Sequence, residues 1–141
     1  MIYLLDTDMF TLAQHGKHGL RERIESERSS NEIAVSLITR IEVLRGRFEA
    51  VLKAADGVAL SRAQEVLKLS EAYLADFRTL FFDEAATSEF DRLRNHKKAR
   101  KAGRNDLLVA CICLSQNATL VTRNIKDYAN VPGLHIENWS Q

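Results

Sequence analysis

The chain has 141 residues, 45% of them hydrophobic, with six glycines and a single proline. Its 20 Lys and Arg residues nearly balance its 19 Asp and Glu residues, which gives a net charge of +1. This composition is typical of one folded domain with a real core, and it excludes a long disordered or low-complexity tract. We therefore predict a single domain over residues 1–141.

Apolar runs and helical spacing predict two strands and three helices in the first half of the chain. The first strand is Ile2–Leu5, and a helix follows from residue 7 or 8 to about residue 16. The second strand is Ile33–Ile38, followed by helices over residues 39–55 and 61–78. The last of these helices has its apolar residues on one stripe, as expected of a helix that packs on a core.

The second half continues the alternation. Strands are predicted at Leu80–Phe82, Thr119–Thr122 and Leu134–Ile136. A helix is predicted from Glu84 to about Lys101, where basic residues and then a glycine indicate its end. The next helix begins at residue 105 or 106 and is apolar nearly all round, so we expect it to be central and buried.

These strands are apolar without regular polar alternation, which is typical of strands buried on both faces of a parallel sheet. Alternating strands and helices predict an α/β fold with three layers, in which helices flank a mainly parallel sheet of four or five strands. Ligands of such sheets bind beyond the carboxyl ends of the strands, where the strand order reverses.

Several kinds of site are excluded by the residue types. Cys111 and Cys113 are two positions apart in an apolar helix, where they do not face each other, so we predict buried hydrophobes rather than a zinc or redox pair. No Ser-His-Asp arrangement, Cys-His arrangement or Gly-rich phosphate loop is evident. The four histidines, at positions 15, 18, 96 and 135, are expected to be solvated.

No targeting or membrane segment is predicted. The apolar run that precedes Asp6 is too short for a signal peptide and lacks a basic region before it. No stretch of the sequence is long enough to span a bilayer. A cytoplasmic protein is the resulting expectation.

Charge is unevenly distributed along the chain. The segment from Arg92 to Arg104 contains seven Lys or Arg residues and no acid, which leaves the rest with a balance of −6. An acidic body with one basic segment suits a protein that holds cations and also approaches a polyanion. A solvated helix face is the structural alternative for this segment.

Three carboxylates occupy positions near the predicted carboxyl edge of the sheet. They are Asp6 after the first strand, Glu42 one helical turn after the second, and Asp106 at the start of the buried helix. Each also suits a structural role. Asp6 or Asp8 would cap the first helix, Glu42 would complete a capping box with Thr39, and Asp106 would cap its own helix.

The shared position of these acids favours a metal site over three unrelated caps. Asn124 and Asp127, which follow the fourth strand, are candidates to face the same crevice, although turn and cap roles suit them equally. Clustered carboxylates repel one another unless a cation neutralises them. Oxygen ligands without Cys or His favour Mg²⁺ or Mn²⁺ over zinc.

At this point the sequence resembles the PIN-domain nucleases, in particular the VapC-type toxins of toxin–antitoxin pairs. The resemblance covers nearly the whole chain, and its motifs occur in order at suitable separations. These motifs are Leu4–Asp8, Ser36–Gly46, Gly103–Ala110, Leu120–Asn124 and a tail from Asp127 to Trp139.

The resemblance implies that Asp6, Glu42 and Asp106 are catalytic residues that bind Mg²⁺ or Mn²⁺. A fourth metal position falls on Asn124, where many members have Asp, so this sequence supplies an amide there in place of a fourth carboxylate. Asp127 would compensate for that change, and Asp8 would add a further carboxylate or cap the helix.

The resemblance also implies an endoribonuclease that leaves 5′-phosphate and 3′-hydroxyl ends, a cognate antitoxin partner and a homodimer. Basic residues near the acids would contact RNA phosphates, which position a strand without reading its sequence. The candidates are Arg40, Arg45, Lys97, Lys98, Arg100, Lys101 and Arg104.

Two alternatives also place acids at strand ends. A haloacid-dehalogenase-like phosphatase would use Asp6 as nucleophile and Asp8 as acid, but Phe10 stands where such enzymes have Thr or Val. A receiver-like module would use Asp83 as phospho-acceptor, but Glu137 stands where it needs Lys. A third alternative is a non-catalytic RNA-binding module.

Overall fold

Five parallel strands form the centre of the molecule. The computed structural model covers residues 1–141 and confirms the α/β fold predicted from the sequence. The sheet has the order β3-β2-β1-β4-β5, and every neighbouring pair is parallel. The strands are β1 (Ile2–Leu5), β2 (Glu32–Ser36), β3 (Arg78–Leu80), β4 (Thr119–Val121) and β5 (His135–Glu137).

Helices connect the strands and cover both faces of the sheet. A short 3₁₀ turn at Ala99–Ala102 precedes the sixth of them. The helices are α1 (Thr7–Gln14), α2 (Leu20–Glu27), α3 (Leu37–Lys53), α4 (Gly57–Ala75), α5 (Glu84–Leu93), α6 (Arg104–Ser115) and α7 (Ile125–Tyr128).

Several elements differ from their predictions, among them α7, which was not predicted, and α3 and α4, which begin earlier than expected. Helix α2 was not predicted, because only Leu20 and Ile24 of its eight residues are buried and the apolar stripe is too thin to see. The helix predicted over residues 84–101 ends at Leu93, and a turn follows in which the His96 ring accepts a hydrogen bond from the backbone N–H of Ala99. Strand β3 lies two residues earlier than predicted, which leaves Phe81 61% exposed.

The alternation of side chains along each strand divides the core into two layers. Leu4 points to the face covered by α5 and α6, and Leu5 points to the face covered by α1, α2 and α4. Helix α6 is buried nearly all round, as predicted, and Cys111 and Cys113 are fully buried free thiols within it. Burial raises the pKa of both thiols, that of Cys111 to about 11.

The strand order reverses between β1 and β4. From β1 the chain moves outward to β2 and β3, and then α5 and α6 carry it back across the sheet to β4 on the other side of β1. The connections that leave the carboxyl ends of β1 and β4 therefore run in opposite directions, and a crevice opens between them. No helix in the structure combines the length and apolar character that crossing a membrane would need.

Candidate active site

A polar cleft lies at the reversal point of the sheet, beyond the carboxyl ends of β1 and β4. It has a volume of about 460 Å³, and four of its nine lining residues are carboxylates. The lining residues are Asp6, Thr7, Asp8, Glu42, Asp106, Val109, Arg123, Asn124 and Tyr128. Asp6, Glu42 and Asp106, which the sequence analysis selected as candidate metal ligands, thus share one cleft.

Asp6 caps α1, which is the structural role predicted for it, and it also lines the cleft. It is the N-cap of α1, and its Oδ1 accepts a hydrogen bond of 2.8 Å from the backbone N–H of Met9. Its Oδ2 accepts a hydrogen bond of 2.6 Å from the hydroxyl of Thr122, the residue that follows β4. The carboxylate is therefore held from both sides of the crevice, because the cap belongs to the β1 connection and the hydroxyl to the β4 connection.

Glu42 lies in the cleft and does not form the predicted capping box. Helix α3 begins earlier than expected, and Ser36 is its N-cap, accepting a hydrogen bond from the backbone N–H of Thr39. Glu42 is therefore too far into the helix to cap it, and its side chain points across the cleft. Its Oε1 accepts a 2.6 Å hydrogen bond from the hydroxyl of Thr7, and its Oε2 accepts one of 3.2 Å from the amide of Asn105.

Asp106 does not cap α6 as the structural alternative predicted. The N-cap position belongs to Gly103, and Asp106 lies in the first turn of the helix, near the positive end of its dipole. The hydroxyl of Tyr128, from α7, donates a 3.0 Å hydrogen bond to Asp106 Oδ1. Tyr128 is itself buried and also lines the cleft, so this contact ties the carboxylate to a fixed side chain of the core.

The remaining candidates divide between the cleft and its rim. Asn124 lines the cleft, and its amide donates a 2.7 Å hydrogen bond to Asp127, which is outside the lining. Asp8 lies at the cleft edge and forms an ion pair of 2.6 Å with Arg123. The structure therefore brings Asn124 and Asp8 to the cleft with their side chains already paired, whereas Asp127 supports Asn124 from outside.

Burial and the charges of neighbouring acids raise the pKa values of two carboxyl groups in the cleft, those of Asp6 and Asp106. Desolvation is the largest cause that raises the pKa of Asp6, and the charges of Asp8 and Asp106 raise it further. Desolvation also raises the pKa of Asp106, with added contributions from Asp127 and Glu42. Hydrogen bonds from Thr122 and Tyr128 act in the opposite direction on Asp6 and Asp106, respectively. The cleft is thus a place where added positive charge would be favourable.

The donor set fits a hard divalent cation, although the side chains do not form a ready-made coordination shell. No three Asp, Glu, His or Cys side chains converge closely enough in this structure to enclose an ion. All candidate ligands are nevertheless oxygens, as Mg²⁺ and Mn²⁺ prefer. A carboxylate offers about four lone-pair sites, so the hydrogen bonds on Asp6, Glu42 and Asp106 leave each able to coordinate.

The basic residues proposed from the sequence lie outside the acidic cleft. Arg40 and Arg45 line an apolar groove along α3, together with Ile41, Phe48 and Leu52. Arg100 and Arg104 line a separate pocket between α5 and the start of α6. In this pocket the Arg104 guanidinium lies 5.4 Å from the centre of the Phe90 ring. Lys97, Lys98 and Lys101 are exposed in the same segment between α5 and α6.

Four residues were not predicted from the sequence as site residues: Thr7, Arg123 and Tyr128, which line the cleft, and Thr122, which is buried beside it and contacts Asp6. Three of them act through hydroxyl groups on the carboxylates. Their residue types are common in turns and cores, and only their contacts distinguish them. The one available signal was position, because Thr7 adjoins Asp6 and the pair Thr122-Arg123 follows a strand directly.

Comparison with known protein families matches residues 3–134 to the PIN domain. The chain is a PIN-domain protein. It is 32% identical over 145 residues to ribonuclease VapC2 of Rickettsia felis, and the match covers 100% of both sequences. The chain is therefore a PIN domain of the VapC type, as its motifs indicated.

Solved structures agree with this assignment. The VapC-type chain is similar to a chain of VapBC2 from Rickettsia felis, bound to a DNA fragment from its promoter, with a TM-score of 0.78, 31% identity and 99% coverage of both chains. It is also similar to a chain of VapBC-1 from nontypeable Haemophilus influenzae, with a TM-score of 0.80, 26% identity and 100% coverage of both. The PIN fold is thus shared over its whole length.

Proposed function

We propose that this VapC-type chain is a metal-dependent endoribonuclease and the toxin of a toxin–antitoxin pair. The observation that carries the proposal is the cleft at the β1–β4 reversal, where Asp6, Glu42 and Asp106 lie together with raised pKa values at two of them. The family supports the same activity, since the Rickettsia felis relative is named a ribonuclease. The phosphatase and receiver alternatives have no comparable support.

In this proposal Asp6, Glu42 and Asp106 hold one or two Mg²⁺ or Mn²⁺ ions. A bound ion would supply the Lewis acidity that lowers the pKa of a coordinated water and offsets charge on the phosphate oxygens. Asp6 is suited to a fixed ligand because hydrogen bonds reach both of its oxygens. Asp106 is suited to a ligand that adjusts, because Tyr128 binds only its Oδ1.

Neighbouring side chains would orient these ligands. Thr7 and Asn105 hold the two carboxylate oxygens of Glu42, so that its long side chain stays directed into the cleft. Asn124, held by Asp127, would present an amide where many VapC-type proteins have a carboxylate. The lower negative charge at that position would weaken the binding of a second metal ion.

We propose that the basic segment between α5 and α6 binds the RNA backbone beside the cleft. Arg100 and Arg104 are the strongest candidates, because their pocket adjoins the same first turn of α6 that carries Asp106. Lys97, Lys98 and Lys101 would add electrostatic attraction that falls with salt. Arg40 and Arg45 are weaker candidates, since their groove is apolar and lies along α3.

We also propose a cognate antitoxin, a homodimer and action in the cytoplasm. The antitoxin is supported by the VapBC assemblies to which the chain is similar. Uncontrolled cleavage of RNA would harm the producing cell, so a partner that blocks the cleft is expected. Expression of the chain alone should arrest growth, and co-expression of its antitoxin should restore it.

The direct test incubates purified protein with total cellular RNA in Mg²⁺, in Mn²⁺ and in chelator. We expect cleavage in the presence of metal and no cleavage in chelator. The cleavage rate of Asp6→Asn should be at least about 100-fold lower, because the bound metal would stabilise the transition state by several kcal/mol. Asp56→Asn is the matched control. Asp56 caps α4 by accepting a 2.8 Å hydrogen bond from the backbone N–H of Ala59, as Asp6 does for α1, but it is exposed and does not line the cleft.

Equal cleavage by Asp6→Asn and the wild type would contradict the proposal and indicate a contaminating nuclease or a different site. Trapping of a phosphorylated Asp6 would instead favour the phosphatase. Binding of RNA without cleavage under any metal condition would favour the non-catalytic module.

A further inference from the structure

Arg123 is the single cation among the residues that line the acidic cleft. Four carboxylates and this one guanidinium give the lining a strongly negative balance. An RNA strand carries a negative charge on every phosphate, so it would be repelled by this surface wherever no cation faces it. Arg123 is therefore the one lining side chain whose own charge attracts a phosphate.

The ion pair with Asp8 holds Arg123 at the cleft edge in a defined position. Its Nε donates to Asp8 Oδ2 at 2.6 Å, and the two side chains are 48% and 51% exposed. The pair joins the first turn of α1 to the loop that follows β4, so it spans the reversal point. Such an exposed pair contributes little to stability, which leaves positioning of the guanidinium as its main consequence.

The geometry leaves the outer part of the guanidinium free for a ligand. Asp8 occupies Nε, and neither Nη1 nor Nη2 takes part in a hydrogen bond within the chain. A guanidinium has five donors in a planar fork and can bind a carboxylate at one edge and a phosphate at another. Arg123 can thus stay paired with Asp8 while two N–H groups face a phosphate.

We propose that Arg123 binds a backbone phosphate of the RNA substrate at the mouth of the cleft, and that Asp8 acts as a positioning residue for it. This inference rests on the proposed function only for the identity of the ligand. It assigns Asp8 to the guanidinium rather than to a metal ion. It also explains how a polyanion enters a cleft whose other charged side chains are all acidic.

The test measures binding of a short fluorescein-labelled single-stranded RNA by anisotropy, in chelator and over a range of salt concentrations. We expect Arg123→Ala to weaken binding about tenfold at low salt, as expected for loss of one charge-assisted contact. The slope of log affinity against log salt should fall by about 0.7, the value for one phosphate contact on a single strand. Arg123→Lys should keep the slope but lose part of the affinity, because it keeps the charge without the fork.

Arg78→Ala is the matched control. Arg78 forms an exposed ion pair of 2.7 Å with Glu32, at the amino ends of β3 and β2, away from the cleft. We expect its affinity and salt slope to equal those of the wild type. Arg123→Gln provides a second neutral variant, and thermal melts of all variants separate loss of contact from loss of fold.

An unchanged salt slope in both Arg123→Ala and Arg123→Gln would overturn the inference, as would a wild type that binds no RNA in this assay. A fall in melting temperature with an unchanged slope would show a purely structural ion pair. Cleavage is measured separately with metal, so an inactive wild type would contradict the proposed nuclease without deciding the role of Arg123.

Discussion

The hydroxyl of Thr122 donates a 2.6 Å hydrogen bond to Asp6 and so joins the carboxyl ends of β4 and β1 across the reversal of the sheet. The same oxygen accepts a 2.9 Å hydrogen bond from the backbone N–H of Asn124. Thr122 is fully buried, so no solvent can replace either contact. One small side chain therefore sets the position of a candidate metal ligand and the course of the loop that carries Asn124 and Arg123.

Replacing Thr122 by Val should destabilise the protein. The substitution keeps the shape of the side chain but leaves Asp6 Oδ2 and the Asn124 N–H without their partner. Burying unsatisfied groups of this kind costs about 1–3 kcal/mol. Urea unfolding followed by circular dichroism would measure the change in the free energy of unfolding.

Thr119→Val is the control for that experiment. Thr119 is the first residue of β4, the strand that Thr122 follows, and is also buried, but its hydroxyl contacts only the sulfur of Met1, at 3.9 Å. We expect a much smaller loss of stability. Equal losses in the two variants would mean that the strand, and not the bond to Asp6, determines the effect of Thr122.

Asp106→Asn should raise the melting temperature of the metal-free protein at neutral pH. Because the pKa of Asp106 in the folded state is raised above its unfolded value, the folded protein binds a proton more tightly than the unfolded chain does. The ionised carboxylate therefore destabilises the fold above the raised pKa, and this effect disappears as the pH falls to the unfolded value. An uncharged Asn avoids it and can still accept a hydrogen bond from Tyr128.

Thermal melts in chelator over a range of pH would measure the difference between Asp106→Asn and the wild type. The difference should be largest at neutral pH and should shrink in acid. Asp56→Asn should show no increase, since it exchanges one good N-cap for another on the surface. A melting temperature of Asp106→Asn below that of the wild type at neutral pH would contradict the expectation.

As the pH is lowered, metal affinity should begin to fall at a higher pH than it would for carboxylates with ordinary pKa values. Ligand carboxylates bind a divalent ion in their deprotonated form. The pKa values of Asp6 and Asp106 are both raised, so protonation competes with the metal at a pH above the usual Asp value of about 3.9. Titration of Mn²⁺, followed by electron paramagnetic resonance at a series of pH values, would test this; an affinity that stays constant down to about pH 4 would refute it.

Tyr128→Phe should weaken metal binding while it leaves the fold intact. The ring remains in the core, but Asp106 loses the hydroxyl that orients its Oδ1. Loss of such a supporting contact typically costs about 10- to 100-fold in metal affinity or activity. Mn²⁺ titration at neutral pH would measure the loss, with Tyr73→Phe as control because Tyr73 packs against Phe10 and Phe77 away from the cleft.

Short-range patterns in the sequence determined the main features of the fold. Strands β1 and β4 and the buried helix α6 were predictable because a strand covered on both faces and a helix buried all round must be apolar. Helix α2 was not predictable in the same way, since two buried residues are too few to make a period. The start of α3 was misplaced because Ser36 and Thr39 are both common N-caps and Thr39 also completes a capping-box pattern with Glu42.

For the candidate site, the residue pattern was enough to identify Asp6 and Glu42 after strands and Asp106 at the start of a helix. Because helices of an α/β fold begin at the edge where the parallel strands end, all three acids are expected near that edge. The partners that hold these carboxylates, and the Arg123 guanidinium that lies beside Asp8, are known only from the folded structure. The contacts of Thr122 with Asp6, Tyr128 with Asp106, and Asp8 with Arg123 join residues 116, 22 and 115 positions apart. Hydrogen bonds depend on separations of a few ångströms in space, which no local pattern along the chain encodes.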